Sequence, residues 1–126
     1  MTMNPMIYIE QTPGKGVGVF ARMDIPAGTV IENSPVILVP DPGWKELEKT
    51  ALKDYYFAWD DKSVAIVLGY GALYNHSNNP NADVEYLFEE RRLNFVALRD
   101  VRRGEEICFD YRTDEMPELW FDVVQS

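Results

Sequence analysis

The sequence predicts a mostly β chain of small curled sheets with one main helix, and three observations predict it. Short β-branched runs alternate with Pro- and Gly-rich turns, the hydrophobic period turns helical only once, and strand character then returns. Met6 to Glu10 reads as a strand, and Thr12-Pro13-Gly14-Lys15-Gly16 turns it into Gly18 to Ala21. Pro26-Ala27-Gly28 leads into a run from Thr29 to Asn33. Another, Val36 to Val39, stops at Pro40-Asp41-Pro42-Gly43. From Trp44 to Phe57 the spacing is helical: Trp44, Leu47, Ala51 and Tyr55 mark one face, and Lys45, Glu46, Lys49 and Lys53 the wet one. Ser63 to Leu68 is a strand again. Ala82 to Phe88 and Leu93 to Leu98 form a hairpin closed by Glu89-Glu90-Arg91-Arg92, and Glu106 to Phe109 is the last short strand. An acidic, aromatic segment follows, from Asp114 to Val124. No repeat, linker or low-complexity tract divides the 126 residues, so a single domain over 1–126 is expected.

Composition narrows the partners. Against 12 Lys and Arg stand 21 Asp and Glu, a formal net charge of -9. That balance argues against direct contact with nucleic acid or an anionic membrane, and suits a positively charged partner. Hydrophobic residues at 46% and aromatics at 13% are too abundant for a disordered tail. No apolar run reaches the length of about eighteen residues that a membrane-spanning helix needs. Met1 to Ile9 has neither a basic start nor a long apolar stretch, so no signal peptide and an intracellular location are expected.

One Cys (Cys108) and one His (His76) limit the chemistry further. An intrachain disulfide is impossible, and a Cys/His zinc site is not expected, so no metal is assigned. A Ser- or Cys-based triad would have to use His76 as its base. Asn75-His76-Ser77 fits a glycosylation sequon, which an intracellular chain would not use. Gly69 and Gly71, ahead of it, suggest a close approach of something to the backbone.

The run Asn75-His76-Ser77-Asn78-Asn79-Pro80-Asn81 has the pattern N-H-S-x-x-P-N. Further along, Gly104-Glu105-Glu106-Ile107-Cys108-Phe109-Asp110-Tyr111 reads G-E-E-x-x-x-D-Y. Together with Gly14 to Ala21 and Ile25 to Ile31, in this order, they resemble the SET domain family of protein lysine methyltransferases over residues 8 to 111. Within it the chain is similar to the minimal viral SET histone lysine methyltransferases. They share Asp54-Tyr55-Tyr56-Phe57, the run Leu68-Gly69-Tyr70-Gly71-Ala72 and the small size.

The resemblance implies a SET-type β-clip fold in which the two motif segments form a C-terminal pseudoknot. It implies S-adenosylmethionine as cofactor, lying against Lys15, Gly16, Val17 and Gly18 and held also by Asn75 and His76. Tyr111 matches the catalytic tyrosine, while Glu105 and Glu106 are read as structural. Tyr55, Tyr70 and Tyr74 are candidates for the wall of a lysine channel, with core packing the alternative for Tyr70 and Tyr74. The cysteine-rich closing element of many relatives is absent, so residues 112–126 are expected to close the site. There Trp120, with Phe121 in reserve, is set over the adenine or packed on the core. The implied substrate is a basic protein segment, a histone tail among the options, and a homodimer is implied as well.

The chemistry fits a tyrosine with no strong base. Methyl transfer from a sulfonium is an in-line displacement on a carbon already activated by charge, so alignment supplies much of the rate. A free lysine titrates at about 10.4, and an apolar channel favours its neutral, nucleophilic form. Ala72, Asn78 and Arg112 depart from the family pattern and leave open a second class, a binding module without turnover. Phe20 to Ile31 also resembles SAF-type β-clip domains that bind sugars, although those lack both motif segments.

Overall fold

The computed structural model describes residues 4–14, 16–47 and 49–112. Lys15 and Trp120 lie outside the described residues. The opening strand β1 (Ile7–Thr12) pairs antiparallel with β2 (Gly16–Ala21) across the expected glycine turn. The long β3 (Val30–Pro40) follows, then a helix α1 (Gly43–Leu47), β4 (Phe57–Ala58) and β5 (Ser63–Val67). After these come β6 (Asn75–His76), β7 (Ala82–Leu87), β8 (Arg92–Ala97) and β9 (Glu106–Phe109). They build two sheets, of order β1-β2-β9-β6 and β4-β5-β3-β8-β7. The core lies between them: Ile7, Val19, Ile31, Leu93, Phe95 and Ile107 are each 1% exposed or less. The expected mostly β class, with curled sheets, is what forms.

Two expectations differ from the structure. The runs at Thr29 to Asn33 and Val36 to Val39 are one continuous strand, β3. Its ladder with β8 ends at Pro35, and its ladder with β5 begins at Val36. The proline therefore stands where the strand changes neighbours, and its missing N–H interrupts neither ladder.

The helix expected from Trp44 to Phe57 is a single short turn, Gly43–Leu47, followed by a 3-10 turn at Ala51–Asp54. Thr50 separates them. Its hydroxyl donates to the Leu47 carbonyl at 2.8 Å and accepts the Leu52 N–H at 3.1 Å, closing one turn and capping the next. Leu52 and Tyr55 are exposed, so no buried apolar stripe rewards continuing the helix. Phe57 instead pairs with Ala65 on β5 and stacks on Phe109 at 5.9 Å.

Candidate active site

β6 and β9 bring the two motif segments together. They run parallel, with Asn75 opposite Cys108 and His76 opposite Phe109, and the Ser77 N–H donates to the Phe109 carbonyl at 3.1 Å. Buried Asn81 ties the end of one segment to the middle of the other. Its amide donates to the Glu106 carbonyl at 2.8 Å and to Glu105 Oε2 at 3.0 Å, and its oxygen accepts the Cys108 N–H at 2.9 Å. Glu105 also meets Arg99 at 2.9 Å, which gives it the structural job expected of it. The last residue of N-H-S-x-x-P-N is thus a staple, a role its polarity alone did not reveal.

Tyr111 follows β9 directly and is held at both ends. Its backbone N–H donates to His76 Nδ1 at 3.0 Å, and its hydroxyl donates to the Tyr74 carbonyl. The phenol packs on Phe109 at 5.0 Å between ring centroids and edge-on to His76 at 5.3 Å. Burial, chiefly, with the nearby Cys108, Glu106 and Tyr55, pushes its titration well above the ordinary tyrosine value, so the hydroxyl stays protonated. Because Nδ1 of His76 accepts, its proton is on Nε2, which donates to Asn78 Oδ1 at 2.8 Å. Arg112 reaches the same Asn78 oxygen at 3.1 Å and grips Asp110. Two of the three departures from the family pattern, Asn78 and Arg112, are therefore bonded to each other.

A groove of about 80 Å³ opens beside Tyr111, walled by Tyr55, Phe57, Tyr74, Tyr86 and Phe109. Tyr55 is 46% exposed and belongs to the mouth, whereas Tyr74 is 1% exposed and forms the inner wall. Asp83, Asp110 and Arg112 border the groove as well. The Arg112 guanidinium holds the Asp110 carboxyl below the usual aspartate range, so that carboxylate is charged at neutral pH. Tyr70 is placed differently: it does not line the groove and packs, half-buried, against the core.

The glycine turn joins β1 to β2. Gly14 and Gly16 both have positive φ, 72° and 73°, and nothing comes within 4 Å of where a Cβ on Gly16 would stand. Gly18 is the opposite case. A Cβ there would lie 2.6 Å from Glu106 Oε2 and 2.9 Å from the Asn75 amide nitrogen. That absence of side chain lets Asn75 Nδ2 donate to Glu106 at 2.7 Å and to the Val17 carbonyl at 3.4 Å. The Val17 carbonyl, the Asn75 carboxamide and the Glu106 carboxylate thus converge next to the turn, and their acceptor oxygens can receive an ammonium. These oxygens fit the amino group of S-adenosylmethionine.

Residues 16–112 match the model of the SET domain family. The chain belongs to that family. A histone-lysine N-methyltransferase of Schizosaccharomyces pombe, named as H3 lysine-37 specific, is 34% identical over 120 residues, spanning 92% of this chain and 77% of that protein. An H3 lysine-36 specific enzyme of Yarrowia lipolytica is 34% identical over 86% of this chain, but the match spans only 15% of the larger protein. Among solved structures, a Plasmodium falciparum protein assigned as a histone methyltransferase superposes with a TM-score of 0.67 at 28% identity. It covers 83% of this SET domain and 96% of its own chain.

One residue of the SET site escaped the sequence reading. Glu32 accepts the Tyr74 hydroxyl on Oε1 and the Tyr70 N–H on Oε2, each at 2.8 Å. Strand alternation gives no sign of it, because it faces inward only through an irregularity in β3.

Proposed function

We propose that this SET domain is an S-adenosylmethionine-dependent protein lysine N-methyltransferase whose substrate is a basic protein segment, a histone tail in the first place. The observation that carries the reading is the aromatic groove lined by Tyr111, whose hydroxyl is bonded to the carbonyl of Tyr74, another lining residue. When bound, the cofactor's sulfonium supplies a methyl carbon made electrophilic by charge. Lys15 to Gly18 and Asn75 would hold its amino-acid end, His76 would contribute through its backbone, and Trp120 would cover the adenine.

The protein's part is binding, desolvation and alignment. The walls of Tyr55, Tyr74, Tyr86 and Phe109 exclude water from a lysine side chain and lower the cost of its neutral amine. Tyr111, kept protonated, is an orienting group rather than a base, and its oxygen and the Tyr74 carbonyl present partial negative charge to the amine and the methyl hydrogens. Tyr111 and the Tyr74 carbonyl would hold the neutral amine toward the methyl group that the bound cofactor would supply. Asp83 and Asp110 at the border favour a basic sequence around the lysine. A histone substrate places the work in a nucleus. Pairing of two copies rests on Trp120, Phe121, Val123 and Val124 in the sequence, and sedimentation at micromolar concentration tests it.

Tritiated-methyl transfer to purified histones and to lysate proteins tests the activity, with Tyr111→Phe as control. Cofactor binding by calorimetry without transfer to any protein would turn the reading to a binding module. Absence of cofactor binding would remove both.

A further inference from the structure

β3 carries a one-residue bulge between Val30 and Glu32. Val30 stands opposite Val96, yet Glu32 stands opposite Phe95, so two steps on β3 match one on β8. Without it Ile31 would face Phe95, and Glu32 would share the outer face with Asn94. Bulges re-aim side chains in this way. The extra residue turns a carboxylate toward the buried face that holds Phe95 and Leu93.

The inward carboxylate is fully engaged. Oε1 takes the hydroxyl of Tyr74 and Oε2 the backbone N–H of Tyr70, both at 2.8 Å. Its approach requires glycine: a Cβ on Gly69, whose φ is +94°, would lie 2.5 Å from Oε2. Tyr74 is thus fixed at its ring by Glu32 and by stacking on Phe95 at 4.7 Å, while its backbone carbonyl receives the Tyr111 hydroxyl. The short turn Gly71–Leu73 between the two Glu32 contacts has no side-chain cap of its own.

We infer that Glu32 is a positioning residue for methyl transfer, acting through Tyr74 to fix the carbonyl that orients the Tyr111 hydroxyl. This rests on the lysine methyltransferase reading and deepens it. Glu32 touches neither the groove nor the cofactor turn, so its loss acts on turnover and leaves cofactor affinity intact. The negative charge beside Tyr74, after burial, keeps that phenol protonated and donating.

The test uses Glu32→Gln, Tyr74→Phe and the double variant, with kcat, KM, cofactor affinity by calorimetry and the Tyr111 ring resonance in protein carrying ¹³C-labelled tyrosine. Gln keeps the shape but presents a donor to one of two donors. Each single variant is expected to lose about ten- to a hundredfold in kcat, with cofactor affinity within about twofold. Both singles move the Tyr111 resonance, and the double variant is no slower than the worse single. A folded Glu32→Gln or Tyr74→Phe with wild-type turnover, an unmoved Tyr111 resonance, or losses that multiply in the double variant would overturn the inference. Should Glu32→Gln fail to fold, Tyr74→Phe decides, since it leaves the strand and ring packing in place. A wild type that methylates nothing removes the proposed activity, and the resonance measurement then decides the coupling alone.

Discussion

The backbone N–H of Tyr111 donates to Nδ1 of His76 at 3.0 Å, so the one histidine of the chain holds a tyrosine that lines the groove. The imidazole is 4% exposed and takes part through its ring, in addition to any backbone contact with the cofactor. His76→Ala takes from the part-buried Tyr111 N–H its imidazole acceptor, at a cost of about 1–3 kcal/mol in stability. Turnover should fall along with it as Tyr111 loses its anchor. Denaturant melts alongside steady-state rates check this, and a variant of unchanged stability would show that the bond contributes nothing.

Tyr111→Phe removes the hydroxyl and keeps the ring packed on Phe109. Methyl transfer should drop roughly a hundredfold or more, as for loss of an orienting dipole at a reacting centre. Cofactor affinity should stay within about twofold. Turnover near that of wild type would take Tyr111 out of its assigned role.

The same phenol makes a statement about pH. Its titration is raised by burial, first, and by Cys108, Glu106 and Tyr55. A raised value means that stability is undiminished below the unfolded tyrosine's titration near 10 and declines as pH climbs toward the folded value. Turnover should therefore rise between about pH 7 and 9.5, as more substrate lysine is neutral, with no falling limb from Tyr111. A descending limb that disappears in Tyr111→Phe would contradict it.

Asn75→Ala should act in the other direction, on binding. The change strips Glu106 of a 2.7 Å donor and Val17 of a weaker one. About 1–3 kcal/mol of stability is expected to go, and cofactor affinity should fall more than kcat. Calorimetry on the folded variant decides, and unaltered affinity would leave Asn75 as architecture only.

Charge at the groove gives the fifth expectation. Asp83 borders it and is exposed, so it attracts a basic peptide through water, over a range screened to about 8 Å at physiological salt. KM for such a peptide should rise with salt, and Asp83→Asn should flatten the response while cofactor affinity barely moves. Glu115 and Glu118, from which the sequence suggests the same effect, lie outside the described residues. A salt-independent KM would mean that acidity serves solubility alone.

Much of this was legible in the residues. Short strand-like runs between turns located β1, β2, β5 and the β7–β8 hairpin, and the two motif segments named Asn75, His76 and Tyr111. The helix did not follow, because periodicity from Trp44 to Phe57 could not register that Thr50 spends its hydroxyl on Leu47 and Leu52. Nor could it register that Phe57 stacks on Phe109 and pairs with Ala65 on β5. For Tyr70 the sequence leaves wall and core both open, because ring chemistry is the same in either place, and the structure packs it against the core.

What the sequence determined by itself is local and chemical: a glycine turn, short strands, two polar segments of fixed pattern, and a tyrosine at the end of the second. Those follow from backbone sterics and residue type. Only the tertiary structure decided which groups meet. The parallel pairing of β6 with β9 sets His76 beneath Tyr111, and the missing side chain at Gly18 admits Asn75 to Glu106. One extra residue in β3 turns Glu32 inward onto Tyr74. Each is a contact between residues distant in the chain, fixed by packing two sheets at once, and no spacing along one strand encodes it.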